Sequence, residues 1–87
     1  YQNINVTCVI FTKHLEIQDK VVLEMGRGMT FWKGKGAYTK DDTYVMVTVI
    51  SKYEVNHLKH ILKEIDSQAF TLFFEGMSVD GHFEKRL

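Results

Sequence analysis

Four stretches of the chain carry the apolar pattern of β-strands. Residues 5–12 are rich in β-branched side chains and apolar on both faces, as expected of a central strand covered on both sides. Residues 43–50 alternate between two faces with a period of two, and residues 69–75 do the same with bulky side chains. Residues 29–33 form a shorter strand-like run, which Gly34, Lys35 and Gly36 should bend or bulge before a polar turn around Lys40, Asp41 and Asp42. The pattern therefore predicts four strands.

The chain between the first two strands changes to a helical period. Ile17, Val21 and Met25 recur at four-residue spacing, which indicates an amphipathic helix over residues 15–25. Gly26 follows directly, where a left-handed residue commonly ends a helix, because glycine adopts a positive φ without steric cost. We expect the helix to end there.

A second helix is predicted after the third strand. Ser51 followed three residues later by Glu54 is a capping-box signature. One face of the helix then carries Val55, Leu58, Ile61, Leu62 and Ile65. The polar residues 66–68 should end it.

The predicted element order is β-α-β-β-α-β. This order is typical of a ferredoxin-like α+β sandwich, in which a four-stranded antiparallel sheet carries both helices on one face. The other face of such a sheet is open. We expect it to carry bulky side chains from the set Tyr44, Met46, Ile50 and Phe73, and a second copy or a partner domain to cover it.

Length and composition favour one small globular domain. The 87 residues are 45% hydrophobic and 25% charged, which argues against disorder. Eleven basic residues balance eleven acidic ones, so the chain lacks the positive field that nucleic-acid binding requires. No apolar run is long enough to cross a membrane. The single cysteine, Cys8, suits a reducing compartment, and the start at Tyr1 suggests a domain of a longer protein.

A glycine-rich stretch over residues 26–39 is the strongest candidate for a functional site. It combines backbone freedom with cations and hydroxyls, which could bind a small anionic metabolite or nucleotide. The tentative ligand-binding residues are Arg27, Gly28, Thr30, Gly34, Lys35, Gly36, Tyr38 and Thr39. The alternative is that the glycines only cap the helix and bend a hairpin around 34–36. A dinucleotide fingerprint is excluded, because this stretch follows a helix instead of opening one.

Catalytic and metal-binding constellations are not evident. His57 and His60 lie three residues apart on the second predicted helix, but zinc would require further ligands from elsewhere. Cys8 has no basic neighbour that would activate it, so we interpret it as a buried thiol. We therefore predict a protein that is not an enzyme and has no cofactor and no metal.

Three motifs resemble one known family. GRGMTFWKGKGAYT at 26–39, IDSQAF at 65–70 and VDGHF at 79–83 resemble the C-terminal cytosolic domain of YitT-type bacterial membrane proteins, a family of unknown function. The family pattern falls on Gly26, Arg27, Gly28, Thr30, Gly34, Gly36, Ala37, Tyr38, Thr39, Asp66, Ala69, Phe70, Val79, Gly81 and Phe83. The chain departs from it at Ser67, where proline is common. The resemblance implies a soluble domain on the cytosolic side of the bacterial membrane, attached to a membrane domain.

Two hypotheses follow. In the first, the chain is a regulatory or sensor domain that binds a small anionic metabolite at the glycine-rich stretch. In the second, it is a structural self-association module of a membrane protein, with no ligand of its own. A homo-oligomer fits both hypotheses.

Overall fold

The computed structural model describes residues 4–36 and 41–75. Strand β1 (Asn5–Thr12) leads to helix α1 (Glu16–Lys20), which continues as a π-helical turn (Val21–Met25). Strands β2 (Thr30–Lys35) and β3 (Asp42–Ser51) follow, then a 3-10 turn (Lys52–Glu54), helix α2 (Val55–Ile65) and strand β4 (Phe70–Glu75). The predicted element order is confirmed.

The four strands form one antiparallel sheet in the order β2-β3-β1-β4. Strands β1 and β3 lie in the centre, as the apolar character of β1 on both faces indicates. Both helices pack on one face, where Ile17 and Leu58 join Ile10 and Met46 in the buried core. The α+β fold class with a four-stranded antiparallel sheet is therefore confirmed.

The ends of both helices follow the sequence signals. Gly26 has φ 68° and ψ 27°, the left-handed conformation predicted for the residue that ends α1 and its π-helical turn. At the start of α2, Ser51 Oγ accepts a hydrogen bond from the Tyr53 backbone at 3.1 Å, and the Ser51 backbone donates to Glu54 at 2.8 Å. The predicted capping box is confirmed.

Strand β2 is longer than predicted. It was expected to end at Lys33 and to bend or bulge over Gly34, Lys35 and Gly36. Gly34 and Lys35 instead pair one-to-one with β3, Gly34 with Thr43 and Lys35 with Asp42. The bulge at these two residues was therefore a wrong prediction, because an edge-strand glycine need not interrupt the ladder. Of the turn expected at Lys40, Asp41 and Asp42, Lys40 lies outside the described residues, and Asp42 is the first residue of β3.

The expected assignment of the two sheet faces is also wrong. Tyr44, Met46 and Ile50 lie opposite Thr12, Ile10 and Val6, on the face that the helices cover. Phe73 lies on this same face, opposite Cys8. The open face instead carries the valines of β3. Both faces of β3 are apolar, so its period-two alternation separates them without indicating which one the helices cover.

Candidate functional site

Arg27, the first candidate residue, is tied to the start of α2. Its Nη2 lies 2.9 Å and its Nε 3.0 Å from Oε1 of Glu54, which also serves the capping box at Ser51. The Arg27 and Glu54 side chains are only 23% and 27% exposed. Because a mostly buried ion pair holds the guanidinium on a protein carboxylate, Arg27 fastens the loop after α1 to α2.

Gly28 has a structural contact of its own. Its carbonyl oxygen accepts a hydrogen bond of 2.8 Å from Oγ1 of Thr48, a side chain on the helix-covered face that is almost completely buried. A buried hydroxyl without a partner would be costly, so this contact stabilises both the loop and the sheet. The loop after α1 therefore provides hydrogen-bond partners for two polar side chains, Glu54 and Thr48.

The remaining candidates lie at the other end of β2. Lys35 Nζ is 3.6 Å from a carboxylate oxygen of Asp42, with both side chains largely exposed, and the Gly36 amide donates to the Asp41 carbonyl at 3.1 Å. Strand rise separates Thr30 from Lys35 by roughly 16 Å. The described candidates thus form two groups at opposite ends of one strand and do not share a pocket. Tyr38 and Thr39 lie outside the described residues.

Asp66, in the second family motif, joins the end of α2 to the end of β1. Its Oδ2 accepts from Oγ1 of the buried Thr12 at 2.7 Å, and its Oδ1 accepts from the Gln68 amide at 3.0 Å. The pKa of Asp66 lies below its usual value. Partial burial alone would raise this pKa, but the hydrogen bonds and the nearby His14 stabilise the carboxylate and outweigh the effect of burial. Asp66 therefore acts as a structural junction.

The side chains with potential for chemistry lie in separate places. Cys8 is fully buried, and burial raises its pKa to about 12, so it remains a neutral thiol. Nε2 of His57 lies 3.4 Å from Glu24, and Nε2 of His60 lies 3.2 Å from Glu64. Within residues 4–36 and 41–75, no three His, Cys, Asp or Glu side chains are grouped as a metal site would require.

The face of the sheet opposite the two helices carries mostly apolar side chains. We use "open face" for its central positions, which are Thr7, Val9, Phe11, Thr30, Trp32, Val45, Val47, Val49, Phe70, Leu72 and Phe74. None of these positions is charged. Trp32 is 51% exposed and Phe70 is 60% exposed, and the rings of Phe70 and Phe11 lie 5.7 Å apart.

The size of the open face sets it apart from scattered surface residues. Four strands at ~4.8 Å spacing and about five residues at ~3.3 Å give roughly 300 Å² of projected surface. A sheet face in contact with water normally alternates to polar residues, and apolar patches of this size often have a function. The period-two pattern of β4, with Phe70, Leu72 and Phe74 on one side, was the sequence signal for this surface.

Comparison with known proteins places the chain in a family. Residues 27–81 match the family described as "Uncharacterized protein conserved in bacteria (DUF2179)". The chain belongs to the DUF2179 family. The UPF0750 membrane protein YitT of Bacillus subtilis is 35% identical over 97% of the chain. This match confirms the resemblance to the YitT-type family, and neither description names a reaction or a ligand.

The DUF2179 chain covers only part of the length of its membrane-protein relative. It spans 30% of the length of YitT. Among the described residues, neither helix has the length and apolar character needed to span a bilayer. The similarity to this membrane protein is consistent with attachment of the chain to a membrane domain.

Solved structures support the fold. A DUF2179 protein from Eubacterium ventriosum is 27% identical, with a TM-score of 0.59 over 85% of this chain and 100% of its own. CPII, a nitrogen regulatory PII-like protein from Thiomonas intermedia bound to ADP, AMP and bicarbonate, has a TM-score of 0.54 over 86% of this chain and 89% of its own. At 14% identity, CPII shows the shared fold alone.

Proposed function

We propose that this DUF2179 domain is a non-catalytic assembly module on the cytosolic side of a bacterial membrane protein, and that its open face packs on the open face of a second copy. The observation that carries the proposal is the uncharged apolar surface centred on Trp32, Val47 and Leu72. Such a contact would hold two membrane subunits together through their attached domains.

The chemistry of the open face favours a second copy as its occupant. A two-fold interface brings the same patch from both subunits together, so any charge at its centre faces itself. The open face avoids this repulsion because it carries no Asp, Glu, Lys, Arg or His. Two twisted sheets can pack face to face at about 30° with interdigitating side chains. Burial of Trp32 and Phe70 would supply the main apolar contact.

Sedimentation equilibrium of the purified domain over a range of concentrations tests this proposal. The expected result is a mass that rises from 10.2 kDa to twice that value as the concentration increases. A domain that stays monomeric at high micromolar concentration contradicts it.

A second candidate function is the regulatory binding of a small anionic metabolite near the end of β2. Lys33 supports it, because its ammonium lies 5.9 Å from the ring centre of Tyr44 and, among the described residues, is paired with no carboxylate. Gly34, Lys35 and Gly36 are adjacent, and CPII, which shares the fold, is a nucleotide complex. Calorimetric titration with nucleotides tests this function, since binding that Lys33→Ala and Lys35→Ala leave unchanged, or no binding, would reject it.

A further inference from the structure

A groove on the helical side of the domain has no role in the proposed self-association. It lies between α1 with its π-helical turn and the end of α2, has a volume of about 440 Å³, and is lined by Glu16, Asp19, Lys20, Leu23, Glu24 and Ile65. We call it the Leu23 groove. Its volume is within the range of binding clefts, and its walls are mainly hydrocarbon.

Leu23 is exposed to an unusual degree. It is 81% exposed, more than any other large apolar side chain in the described part of the chain. It lies in the π-helical turn Val21–Met25, and such turns are rare and often occur at functional sites. The helix therefore presents a large apolar side chain to the surroundings beside a groove that another side chain could fill.

The rim of the Leu23 groove is acidic. Lys20 is neutralised by Glu24, with Nζ 2.8 Å from Oε2. Glu16 has only a distant contact of 3.8 Å with His14, and Asp19 accepts a hydrogen bond from Gln18. Among the described residues, neither carboxylate is paired with a lysine or arginine. Any segment that docks here meets an apolar floor beside uncompensated negative charge.

These charges discriminate between possible occupants. A second copy of the same groove would place Glu16 and Asp19 opposite identical carboxylates, which is repulsive. An anionic lipid surface would be repelled in the same way. A helix with apolar residues on one side and lysine or arginine beside them would fill the apolar groove and neutralise the carboxylates of its rim. Cytoplasmic segments beside membrane spans are enriched in lysine and arginine.

We infer that the Leu23 groove binds a Lys/Arg-bearing amphipathic helix from the membrane part of the parent protein. This inference rests on the proposed attachment to a membrane part on the cytosolic side, but not on self-association through the open face. The two surfaces lie on opposite sides of the sheet. One would join the domain to its own membrane part, and the other would join it to a second domain.

Site-directed photocross-linking in the full-length membrane protein tests the inference. Photoreactive benzoylphenylalanine replaces Leu23, and cross-linked peptides are identified by mass spectrometry from native membranes. The expected result is a cross-link to a Lys/Arg-containing segment of the membrane part. The same probe at Tyr53, which is 79% exposed and does not line the groove, is the matched control and should not reach that segment.

Charge reversal tests the role of the rim. Glu16→Lys combined with Asp19→Lys should lower the yield of the position-23 cross-link roughly tenfold. Circular dichroism of the isolated domain verifies that this variant is folded. An unchanged yield, no cross-link from position 23, or a cross-link from it to a second domain or to lipid overturns the inference. A third probe at Phe74 separates the two proposals, because it reports the open-face contact whatever position 23 shows.

Discussion

Replacing Leu72 with glutamate should convert the proposed dimer of this domain into monomers. Leu72 lies on the open face opposite Val9, and it is partly exposed in the single domain. In the proposed two-fold contact each copy would bury one unpaired carboxylate, which costs about 3 kcal/mol or more. Since 1.4 kcal/mol is tenfold in affinity, the dimer dissociation constant should rise at least about 100-fold. Sedimentation equilibrium measures this change.

The matched control introduces the same substitution on the other side of the domain. Leu23→Glu replaces a more exposed leucine that lies on the helical layer, so it should leave the dissociation constant of the isolated domain unchanged. Both variants should keep the far-ultraviolet circular dichroism of the wild type. Equal weakening by the two substitutions would show that added charge, and not the open face, governs association.

Replacing Arg27 with alanine should destabilise the fold. The change removes the Nε hydrogen bond of 3.0 Å and the Nη2 ion-pair contact of 2.9 Å to Glu54, and it leaves that mostly buried carboxylate without its cation. A hydrogen bond to a charged group contributes about 1.5–3 kcal/mol and an exposed ion pair about 0–1 kcal/mol, so this mostly buried pair should contribute about 1–2 kcal/mol. For a domain of this size the midpoint of thermal unfolding should fall by roughly 5–15 °C, measured at one fixed protein concentration.

Lys35→Ala is the control for Arg27→Ala. It removes another cation from the same glycine-rich stretch, but its pair with Asp42 is longer, at 3.6 Å, and largely exposed. Exposed pairs contribute little, so the free energy of unfolding should change by less than about 0.5 kcal/mol. Equal small effects of the two substitutions would show that the Arg27–Glu54 pair does not fasten the loop after α1 to α2.

Local signals predicted the elements of this fold well. The left-handed conformation of Gly26 and the capping box at Ser51 depend on residues within one turn of each other, and both were correctly predicted. The face of β3 that the helices cover was not correctly predicted. Met46 and Val47 are both apolar, and only contact with helices distant in sequence determines that Met46 is buried in the core.

The candidate site was less predictable for the same reason. The partner of Arg27 is Glu54, 27 residues further along the chain, and no local pattern indicates that the two side chains meet. The length of β2 also depends on pairing with β3, which extends the strand through Gly34 to Lys35. This extension separates residues that a compact glycine loop would have placed together.

The fluorescence of Trp32, the single tryptophan of the chain, tests the central proposal most directly because its side chain lies on the open face and is half exposed. Emission and acrylamide quenching are measured across the concentrations at which sedimentation detects the dimer. If the open faces pack together, dimer formation should shift the emission to shorter wavelength and protect Trp32 from the quencher, while Leu72→Glu remains quenchable throughout. A mass that doubles while Trp32 stays equally accessible to acrylamide would contradict the proposed packing of the two open faces.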